Sequence, residues 1–288
     1  MLVQIFAAVA VAVIVYLIWQ DNGISINNIM YENKKIPREF DGFKIVQISD
    51  LHNKKFGENE ERLLNKIREV SPDIIVITGD LIDRRRYDLD TALMFICGAK
   101  EIAPIYYVAG NHEGWSKKYE QIEKSLKNAG VNVVNNDQAE IKIGNGQINI
   151  MGLLDPSFWA ESYQKVTDVS KMEEYLKSLP ENDGFRITLS HRPELIDLYA
   201  KYKLDLVFSG HAHGGQFRLP FIGGLYAPSQ GVFPKYTSGA HKKGNTTMIV
   251  SRGLGNSKFP IRLNNRPEVV VATLKAKNNQ ILEQKEDI

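Results

Sequence analysis

Five short apolar runs along the chain each end in a group of residues of the types that commonly bind metal ions. Each run is rich in β-branched residues and has the length of a buried strand. The groups that close the runs contain Asp, His, Asn or Glu. The runs with their closing groups are residues 43–52, 73–80, 105–113, 185–191 and 204–213. This repetition predicts one polar site built from the ends of several strands.

The spacing of the first three runs predicts strands joined by helices. Asn59–Val70 lies between the first and second runs, and a stretch near Thr91–Glu101 lies between the second and third; both are predicted to be helical. A strand, a helix and a strand repeating about every thirty residues is typical of βαβ units. Open α/β sheets bind ligands at the carboxyl ends of their strands, which is where the closing groups fall.

Three further apolar runs are predicted to be strands without metal-binding groups, and we expect them to complete a second sheet. They are Ile148–Gly152, Met248–Val250 and Val269–Ala272. Residues 214–255 are rich in Gly, Pro, Ser and Tyr and show little periodicity. They are predicted to form long loops over the site.

The closing groups have the composition of a site for transition-metal ions. Five of the six histidines lie in them, and carboxylate oxygen mixed with imidazole nitrogen suits Mn, Fe or Zn. Asp50 and His52 are two residues apart on a predicted extended backbone, so both can hold one ion. A bridging carboxylate is needed to hold two ions about 3.5–4 Å apart, and Asp80 is the candidate. The alternative, histidines packed in the core, does not explain their repetition at strand ends.

In order, the five groups resemble the signature of the calcineurin-like metallophosphoesterases: Asp-x-His, Gly-Asp-x-x-Asp, Gly-Asn-His-Glu, a lone His, and Gly-His-x-His. The matching segments are Asp50–His52, Gly79–Asp83, Gly110–Glu113, His191 and Gly210–His213. The resemblance spans residues 43 to 216. None of the ligands in the signature is missing from this sequence.

The resemblance implies an α/β fold, a four-layer αββα sandwich of two mixed sheets, and a site for two divalent metal ions, which would be Mn, Zn or Fe. It also implies two sets of ligands that share a bridging carboxylate. The first set comprises Asp50, His52, Asp80 and His213. The second set comprises Asp80, Asn111, His191 and His211.

The same resemblance, with the chemistry of the residues, implies roles around these ligands. His112 would stand beside the phosphate as a general acid or charge stabiliser. Two cations would lower the pKa of a bridging water, so that hydroxide attacks the phosphoryl group in line. Asp83 is predicted to orient a ligand from outside the coordination sphere. Arg84 is a candidate for binding phosphate, because Arg matches phosphate geometry; a solvated loop is the alternative.

The first part of the chain is predicted to be a membrane helix. Leu2–Trp19 carries no charge and is about long enough to cross the hydrocarbon core of a bilayer. A buried core helix and a cleaved signal peptide are the alternatives, but no clear cleavage site follows Trp19. The predicted division is residues 1–20, a transmembrane anchor or uncleaved signal; 21–40, a linker; and 41–280, the metallophosphoesterase domain.

Two criteria disagree on the orientation of this helix. No basic residue precedes it, whereas Lys34, Lys35 and Arg38 follow it, which favours a cytoplasmic domain by the positive-inside rule. The resemblance extends to bacterial membrane-associated and exported phosphoesterases, whose exported members have an external catalytic domain. We expect a single-pass membrane protein with an extracytoplasmic catalytic domain.

Charge and cysteine content narrow the remaining possibilities. The net charge of +2 gives no broad basic surface, so nucleic-acid binding is not expected. The one cysteine, Cys97, follows the apolar stretch 93–96. It is predicted to be a buried structural thiol.

The predicted function is hydrolysis of phosphodiesters or pyrophosphates, including lipid-linked ones, near a membrane surface. A phosphomonoesterase or nucleotidase is the second possibility, because the metal ions would hold the same phosphoryl group in each case. A metal-stabilised binding protein of the cell envelope without hydrolytic activity is the third. The intact pair of Asn111 and His112 disfavours this last reading.

Overall fold

Two six-stranded sheets face each other and are flanked by helices, which makes a four-layer αββα sandwich. The computed structural model describes residues 1–162, 168–180, 183–256 and 259–277. Three apolar layers hold the sandwich together. They lie between the first sheet and its helices, between the two sheets, and between the second sheet and its helices. The predicted fold class, α/β with two mixed sheets, is confirmed.

The first sheet contains β1 (Ser25–Asn33), β2 (Lys44–Ile48), β3 (Ile74–Thr78), β4 (Ile105–Val108), β5 (Asn132–Val133) and β16 (Glu268–Ala276). Its strand order is β1-β16-β2-β3-β4-β5. Strands β2 to β5 are parallel, β16 is antiparallel to β2, and β1 is parallel to β16. Strands β2, β3 and β4 are nearly continuous apolar runs because both faces of this sheet are covered.

The second sheet contains β6 (Gln138–Ile143), β7 (Gly146–Leu153), β8 (Arg186–Ser190), β9 (Leu206–Ser209), β14 (Gly239–Lys243) and β15 (Thr246–Val250). Its order is β14-β15-β9-β8-β7-β6. The four central strands are parallel, and the two edge strands β14 and β6 are antiparallel to their neighbours. The predicted strands in both sheets therefore form, within a few residues of their expected bounds.

Helices cover the outer faces of both sheets. The first sheet carries α2 (Glu61–Val70), α3 (Leu89–Lys100) and α5 (Tyr119–Asn128), and the second carries α6 (Ser170–Ser178) and α7 (Ile196–Lys201). A short helix, α4 (Asn111–Trp115), follows β4. Asp88 caps the start of α3: its carboxylate accepts a hydrogen bond from the backbone N–H of Thr91 at 3.1 Å.

Two short hairpins lie between β9 and β14 in the chain. They are formed by β10 (Arg218–Leu219) with β11 (Gly223–Gly224), and by β12 (Tyr226–Ala227) with β13 (Gly231–Val232). Residues 214–255 therefore combine irregular segments with short hairpins and the edge pair β14 and β15. The prediction of long loops is correct only for part of this region.

Helix α1 (Leu2–Asn22) projects from the sandwich. Its mean hydropathy reaches 2.6, and none of its most apolar stretch is buried. Within the described ranges it is the one helix long and apolar enough to cross a membrane. Its carboxyl end is held by cationic side chains: Arg62 donates to the carbonyl of Asn22 at 2.8 Å, and Arg266 lies over the ring of Trp19. Cations at this end of a helix are favourable.

The predicted linker, residues 21–40, is wrong in its central part. Ser25–Asn33 forms β1 and pairs along its whole length with β16. Apolar side chains on the two faces of β1 pack into different layers of the core. Ile26 packs in the layer between the first sheet and its helices, and Tyr31 packs between the two sheets. The sandwich therefore begins almost directly after α1.

Two further predictions are corrected. Val269–Ala272 does not join the second sheet; it lies in β16, beside β2 in the first sheet. Cys97 is exposed rather than buried. On α3, Phe95, Ile96 and Ala99 occupy the face that packs against the sheet, and Cys97 projects to the opposite side because successive helical residues are about 100° apart.

Candidate metal centre

The groups that close the five predicted strands meet at one edge of the sandwich. Strands β2, β3 and β4 of the first sheet and β8 and β9 of the second deliver them there. Asn111 is half-buried. The other six predicted ligands are buried: Asp50, His52, Asp80, His191, His211 and His213.

The first group of ligands contains Asp50, His52 and His213. The Nε2 atoms of His52 and His213 are 3.2 Å apart. Oδ1 of Asp50 lies 3.4 Å from Nε2 of His213 and 3.9 Å from Nε2 of His52. One oxygen and two nitrogens are therefore close enough to contact a single ion.

Asp80 lies between this group and a second one. Its Oδ2 is 3.6 Å from Nε2 of His52 and 3.3 Å from Nε2 of His191. Its Oδ1 accepts a hydrogen bond from the backbone N–H of His112 at 2.8 Å, which fixes the plane of the carboxylate. This is the position that a bridging ligand requires.

The second group contains His191, His211 and Asn111. Nε2 of His191 is 3.1 Å from Oδ1 of Asn111 and 3.2 Å from Nδ1 of His211. The other ring nitrogen of His191 donates to the carbonyl of Thr78 at 2.7 Å. In the neutral ring this leaves the lone pair on Nε2, the atom that faces Asp80 and Asn111. Histidines that bind a metal through one ring nitrogen typically donate a hydrogen bond from the other, as His191 does here.

The donor atoms of both groups fit a pair of divalent ions. Metal bonds of about 2.0–2.2 Å place neighbouring ligand atoms about 3.0–3.5 Å apart at the corners of a tetrahedron or octahedron. The separations of 3.1 to 3.9 Å are close to this spacing. Carboxylate oxygen, amide oxygen and imidazole nitrogen together suit Mn, Fe or Zn.

Burial favours the neutral form of three of the imidazoles. It lowers the pKa of His213 to about 4 and holds the pKa values of His52 and His211 well below the ordinary value. Neutral imidazole is the form that binds metals. Burial also lowers the pKa of His191, but the nearby carboxylate of Asp80 outweighs it and raises the pKa to about 10. Metal binding therefore displaces a proton from His191.

Five of the predicted ligands adopt a left-handed backbone. Their φ values lie between 47° and 64°. A non-glycine residue in such a conformation costs of the order of 1–3 kcal/mol and persists only where its surroundings impose it. Strain of this kind concentrates at functional sites. The residues are Asp50, His52, Asp80, His211 and His213.

Two glycines let the ligand-bearing loops approach one another. A Cβ on Gly210 would lie 1.9 Å from Oγ of Ser49, and a Cβ on Gly79 would lie 2.5 Å from the backbone nitrogen of Gly110. Gly79 also has a φ of 85°. The glycines that precede Asp80 and His211 in the sequence are therefore required by the packing of the loops.

His112 lies beside the first group and is held by the segment after Asp80. Its ring centroid is 4.4 Å from that of His52. The backbone N–H of Arg84 donates to Nδ1 of His112 at 3.1 Å, and Oδ1 of Asp83 lies 3.4 Å from the same nitrogen. Asp83 therefore orients His112, whereas the sequence predicts that it orients a metal ligand.

The arginines that follow Asp83 surround its carboxylate. Arg86 donates to Oδ2 of Asp83 at 3.0 Å, and the backbone N–H of Arg85 donates to Oδ1 at 2.9 Å. Burial raises the pKa of Asp83, but these contacts and His112 hold it well below its ordinary value. Arg84 reaches the site through its backbone, and a phosphate contact by its side chain stays a prediction.

Glu113 has a structural role that the sequence reasoning missed. It is fully buried, and its Oε2 accepts hydrogen bonds from the backbone N–H groups of Asp80 at 2.8 Å and Gly110 at 2.9 Å. Oε1 accepts from the N–H of Ile82 at 3.2 Å. Glu113 therefore ties the loop after β3 to the loop after β4. Its place in the Gly-Asn-His-Glu motif was the available signal.

A buried arginine next to His191 was also missed. Arg192 donates to Oδ2 of Asp155 at 2.8 Å and to Oγ of Ser229 at 3.0 Å. Oγ of Ser229 is in turn 3.4 Å from Nε2 of His211. The ion pair of Arg192 with Asp155 therefore helps to hold Ser229 against His211 of the second ligand group. Asp155 and Arg192 are far apart in sequence, and no local pattern predicts that they pair.

A second buried arginine holds together the segment between β15 and β16. Arg262 donates to the carbonyls of Gly255 at 2.6 Å and Arg252 at 2.9 Å. Burial lowers its pKa to about 10. Nearby, Nδ2 of Asn265 donates to the carbonyl of His213 at 2.7 Å. The segment between β15 and β16 therefore holds one of the predicted ligands in place.

A cleft of roughly 600 Å³ opens beside His52. Two basic side chains and two acidic ones line it together with polar residues. Asp21 belongs to the last turn of α1, so the cleft joins the first ligand group to the end of the apolar helix. The other lining residues are Asn53, Lys54, Arg86, Asp88, Asn256 and Pro260.

Comparison with known proteins agrees with this geometry. The sequence profile of the calcineurin-like phosphoesterases matches residues 43–215. The metallophosphoesterase YkuE of Bacillus subtilis is 35% identical over 252 residues, which cover 84% of this chain and 82% of that protein. The phosphodiesterase YaeI of Escherichia coli is 30% identical over 243 residues, which cover 81% of this chain and 82% of that protein.

A more distant relative comes from an animal. The transmembrane protein with metallophosphoesterase domain of Danio rerio is 26% identical over 251 residues, which cover 84% of this chain and 55% of that protein. The profile match includes all five of the groups that meet at the edge of the sandwich. The chain therefore belongs to the calcineurin-like phosphoesterase family and is a metal-dependent phosphoester hydrolase.

Proposed function

We propose that the chain hydrolyses phosphodiesters or pyrophosphates that are held at a membrane or in the cell envelope. The observation that carries this proposal is the position of the cleft. Its walls include His52 of the first ligand group and Asp21 at the end of the apolar helix α1. If α1 spans a bilayer, a substrate embedded in that bilayer can reach the metal centre without leaving the membrane surface. The name of the relative YaeI supports a diester rather than a monoester.

The charges in the cleft suit an anionic headgroup. Lys54 and Arg86 line it, and each is anchored by an acidic partner: Asp21 lies 3.1 Å from Nζ of Lys54, and Asp83 lies 3.0 Å from Arg86. Although both cations are paired with carboxylates, their remaining N–H groups can donate to the oxygens of a phosphate. The volume of roughly 600 Å³ is within the usual range for sites that bind small molecules.

Two divalent cations would be held by the seven predicted ligands, with Asp80 shared between them. When bound, such a pair supplies an activated water and polarises the phosphoryl oxygens. The protein contributes the alignment of the ligands. Glu113 fixes the backbone of Asp80, and the carbonyl of Thr78 fixes the ring of His191. These contacts set the spacing of the two groups before substrate arrives.

His112 is proposed as the general acid. As a general acid, His112 would act in its imidazolium form: the proton on Nε2 passes to the oxygen of the leaving group as the phosphoester bond breaks, and the neutral ring remains. In the imidazolium, Nδ1–H faces Oδ1 of Asp83 at 3.4 Å. In the neutral ring, Nδ1 accepts from the backbone N–H of Arg84 at 3.1 Å.

The anchor is proposed to be a single membrane span with the catalytic domain outside the cytoplasm. The basic residues after α1, Lys34, Lys35 and Arg38, favour the opposite orientation by the positive-inside rule. The resemblance to exported phosphoesterases supports the external orientation.

Hydrolysis by the full chain in detergent micelles tests the proposed reaction. The substrates are bis-p-nitrophenyl phosphate and p-nitrophenyl phosphate, each with Mn²⁺. We expect turnover of the diester that is lost in Asp80→Asn. In this variant Oδ1 can still accept from His112, whereas an amide nitrogen replaces the bridging Oδ2. Asp197→Asn, at an exposed carboxylate, is the matched control and should keep full activity.

Other outcomes favour the competing readings. A preference for the monoester would favour a phosphomonoesterase or nucleotidase. Binding of Mn²⁺ without turnover of either substrate, or of a lipid-linked pyrophosphate, would favour a binding protein. Equal loss of activity in Asp80→Asn and Asp197→Asn would remove Asp80 from its proposed role.

A further inference from the structure

The two short hairpins after His213 expose a group of large apolar side chains. Phe221 is fully exposed, and Ile222, Val232 and Phe233 are 58%, 68% and 66% exposed. Phe221 and Ile222 form the turn between β10 and β11, and Val232 and Phe233 lie at the end of the second hairpin. Single exposed apolar residues are common, but a group of this size marks a surface that contacts something else. We call these four residues the apolar tip.

Backbone contacts hold the two halves of the apolar tip together. The backbone N–H of Phe233 donates to the carbonyl of Leu225 at 3.0 Å. Leu225 is three residues after Ile222, a distance of at most about 10 Å even in extended chain. The N–H of Leu225 itself donates to the carbonyl of Phe217 at 2.9 Å. The two hairpins therefore form one unit, and their apolar side chains lie on neighbouring segments.

This unit lies beside α1. The hydroxyl of Tyr16 donates to Oδ1 of Asn264 at 2.6 Å, and Nδ2 of Asn264 donates to the carbonyl of Arg218 at 3.2 Å. Arg218 is the first residue of β10 and is three residues from Phe221. Tyr16 is six residues before the end of α1, about 9 Å along the helix. The base of the first hairpin is thus at the level of the last two turns of the apolar helix.

We infer that the apolar tip inserts into the same lipid surface that α1 enters, as a second membrane contact. The apolar surface of α1 and the apolar tip are joined through Tyr16, Asn264 and Arg218. Tyr side chains such as Tyr16 favour the interface between lipid and water. Lys235 follows the tip by two residues, which places a cation where lipid phosphates lie. A lipid surface explains both the apolar character and the position of the tip.

Two points of contact would fix the domain against the membrane. One helix alone permits rotation about its axis, whereas a helix and a neighbouring hairpin do not. The cleft that begins at Asp21 would then open at a constant height above the lipid headgroups. This inference rests on the proposed insertion of α1, and it specifies how a membrane-held substrate meets the site.

Site-directed fluorescence in vesicles tests the inference with the full chain. The background is Cys97→Ser, which removes the one exposed cysteine. A polarity-sensitive label is then placed by Phe221→Cys, by Val9→Cys in the middle of α1, or by Asn145→Cys at the exposed turn of the hairpin of β6 and β7. The vesicles contain phosphatidylcholine and phosphatidylglycerol, with or without a nitroxide quencher on the acyl chains.

We expect the labels at positions 221 and 9 to shift to the blue and to be quenched, and the label at position 145 to show neither effect. Quenching at position 9 with none at position 221 would overturn the inference while leaving the proposed anchor intact. No quenching at either position would overturn both. Quenching at 221 that disappears on dilution of the protein in lipid, with dimers seen by crosslinking, would replace the lipid surface by a second copy of the chain.

A pair of substitutions provides an independent measurement. Phe221→Ser with Phe233→Ser removes two apolar side chains that project from the fold, so folding should be unaffected. We expect the label at Val232→Cys to lose its blue shift in this variant. Ile143→Ser, at an exposed apolar residue of the hairpin of β6 and β7, is the matched control and should leave the shift unchanged. An unchanged shift in the double variant would contradict insertion of the tip.

Discussion

The carboxylate of Asp21, in the last turn of α1, lies 3.1 Å from Nζ of Lys54. Lys54 is two residues after His52, a predicted ligand, and the same ammonium group also donates to the backbone carbonyl of Asp21. Both side chains line the cleft. The end of the apolar helix α1 and the loop that carries the metal site are therefore in direct contact.

Loss of this contact should loosen the helix junction without damage to the sandwich. Asp21→Asn weakens the pair with Lys54, and we expect a loss of about 1 kcal/mol at the junction, because the ion pair is replaced by a hydrogen bond from the ammonium group to a neutral amide oxygen. Local opening should then increase about fivefold. Limited proteolysis between α1 and β1 in vesicles measures this change. Asp197→Asn serves as control, and equal cleavage of the two variants would contradict the junction.

Substitution of His112 should separate chemistry from metal binding. In His112→Asn we expect the metal content to stay at the level of the unmodified chain, since seven other residues supply the ligands. Turnover of a diester with an alkoxide leaving group should fall by about 10²–10⁴-fold, the usual contribution of a general acid. The loss should be smaller for bis-p-nitrophenyl phosphate, because p-nitrophenolate leaves without a proton. Equal losses for both substrates would argue against proton transfer by His112.

The sequence predicts the ligand-bearing part of the fold because local and global signals agree there. Each strand such as β3 is a continuous apolar run, as expected of a strand buried on both faces, and it is closed by a polar ligand, here Asp80. The edge of the first sheet was not predicted. β1 alternates apolar and polar residues weakly and contains three asparagines, so its composition resembles that of a linker. Its partner β16 is about 240 residues away.

The same contrast holds at the site. His52 and His191 could be identified because metal-binding residue types follow apolar runs. The supporting contacts could not, since they join residues without any fixed spacing. Asp155 meets Arg192 although α6 and β8 lie between them in the chain, and Arg262 acts on carbonyl groups, which every sequence possesses. Burial decides these contacts, and burial of a charged side chain is a property of the folded molecule.

Glu113→Gln should destabilise the protein. Oε2 of Glu113 accepts from two backbone N–H groups, and Oε1 accepts from a third. A glutamine amide directs hydrogens at one or two of these donors, which leaves buried N–H groups without acceptors. We expect a loss of about 1–3 kcal/mol in the free energy of unfolding, measured by urea denaturation. Glu120→Gln, at an exposed position of α5, should change it by less than about 0.5 kcal/mol.

Metal ions should stabilise the folded chain. The ligands hold strained backbones and crowd carboxylates with imidazoles, and an ion that binds only the folded state offsets both costs. Mn²⁺ at about 100 times its Kd should add about 2.7 kcal/mol to the free energy of unfolding, and chelation should remove it. Thermal unfolding in detergent measures the effect. The response should be much smaller in Asp80→Asn, and an equal response would place the stabilising ion elsewhere.

Removal of Asp155 should be among the most damaging substitutions outside the ligands. Its carboxylate receives two hydrogen bonds from Arg192, at 2.8 and 3.2 Å, and both side chains are almost fully buried. Asp155→Ala leaves the guanidinium buried with only part of its charge compensated, which costs about 3–5 kcal/mol. Because Arg192 also positions Ser229 against His211, the affinity for metal should fall as well.

Urea denaturation and metal titration measure the two effects of Asp155→Ala. Glu140→Ala, in an exposed pair with Lys142, should cost at most about 1 kcal/mol, and similar losses in the two variants would show that the buried pair has no special role.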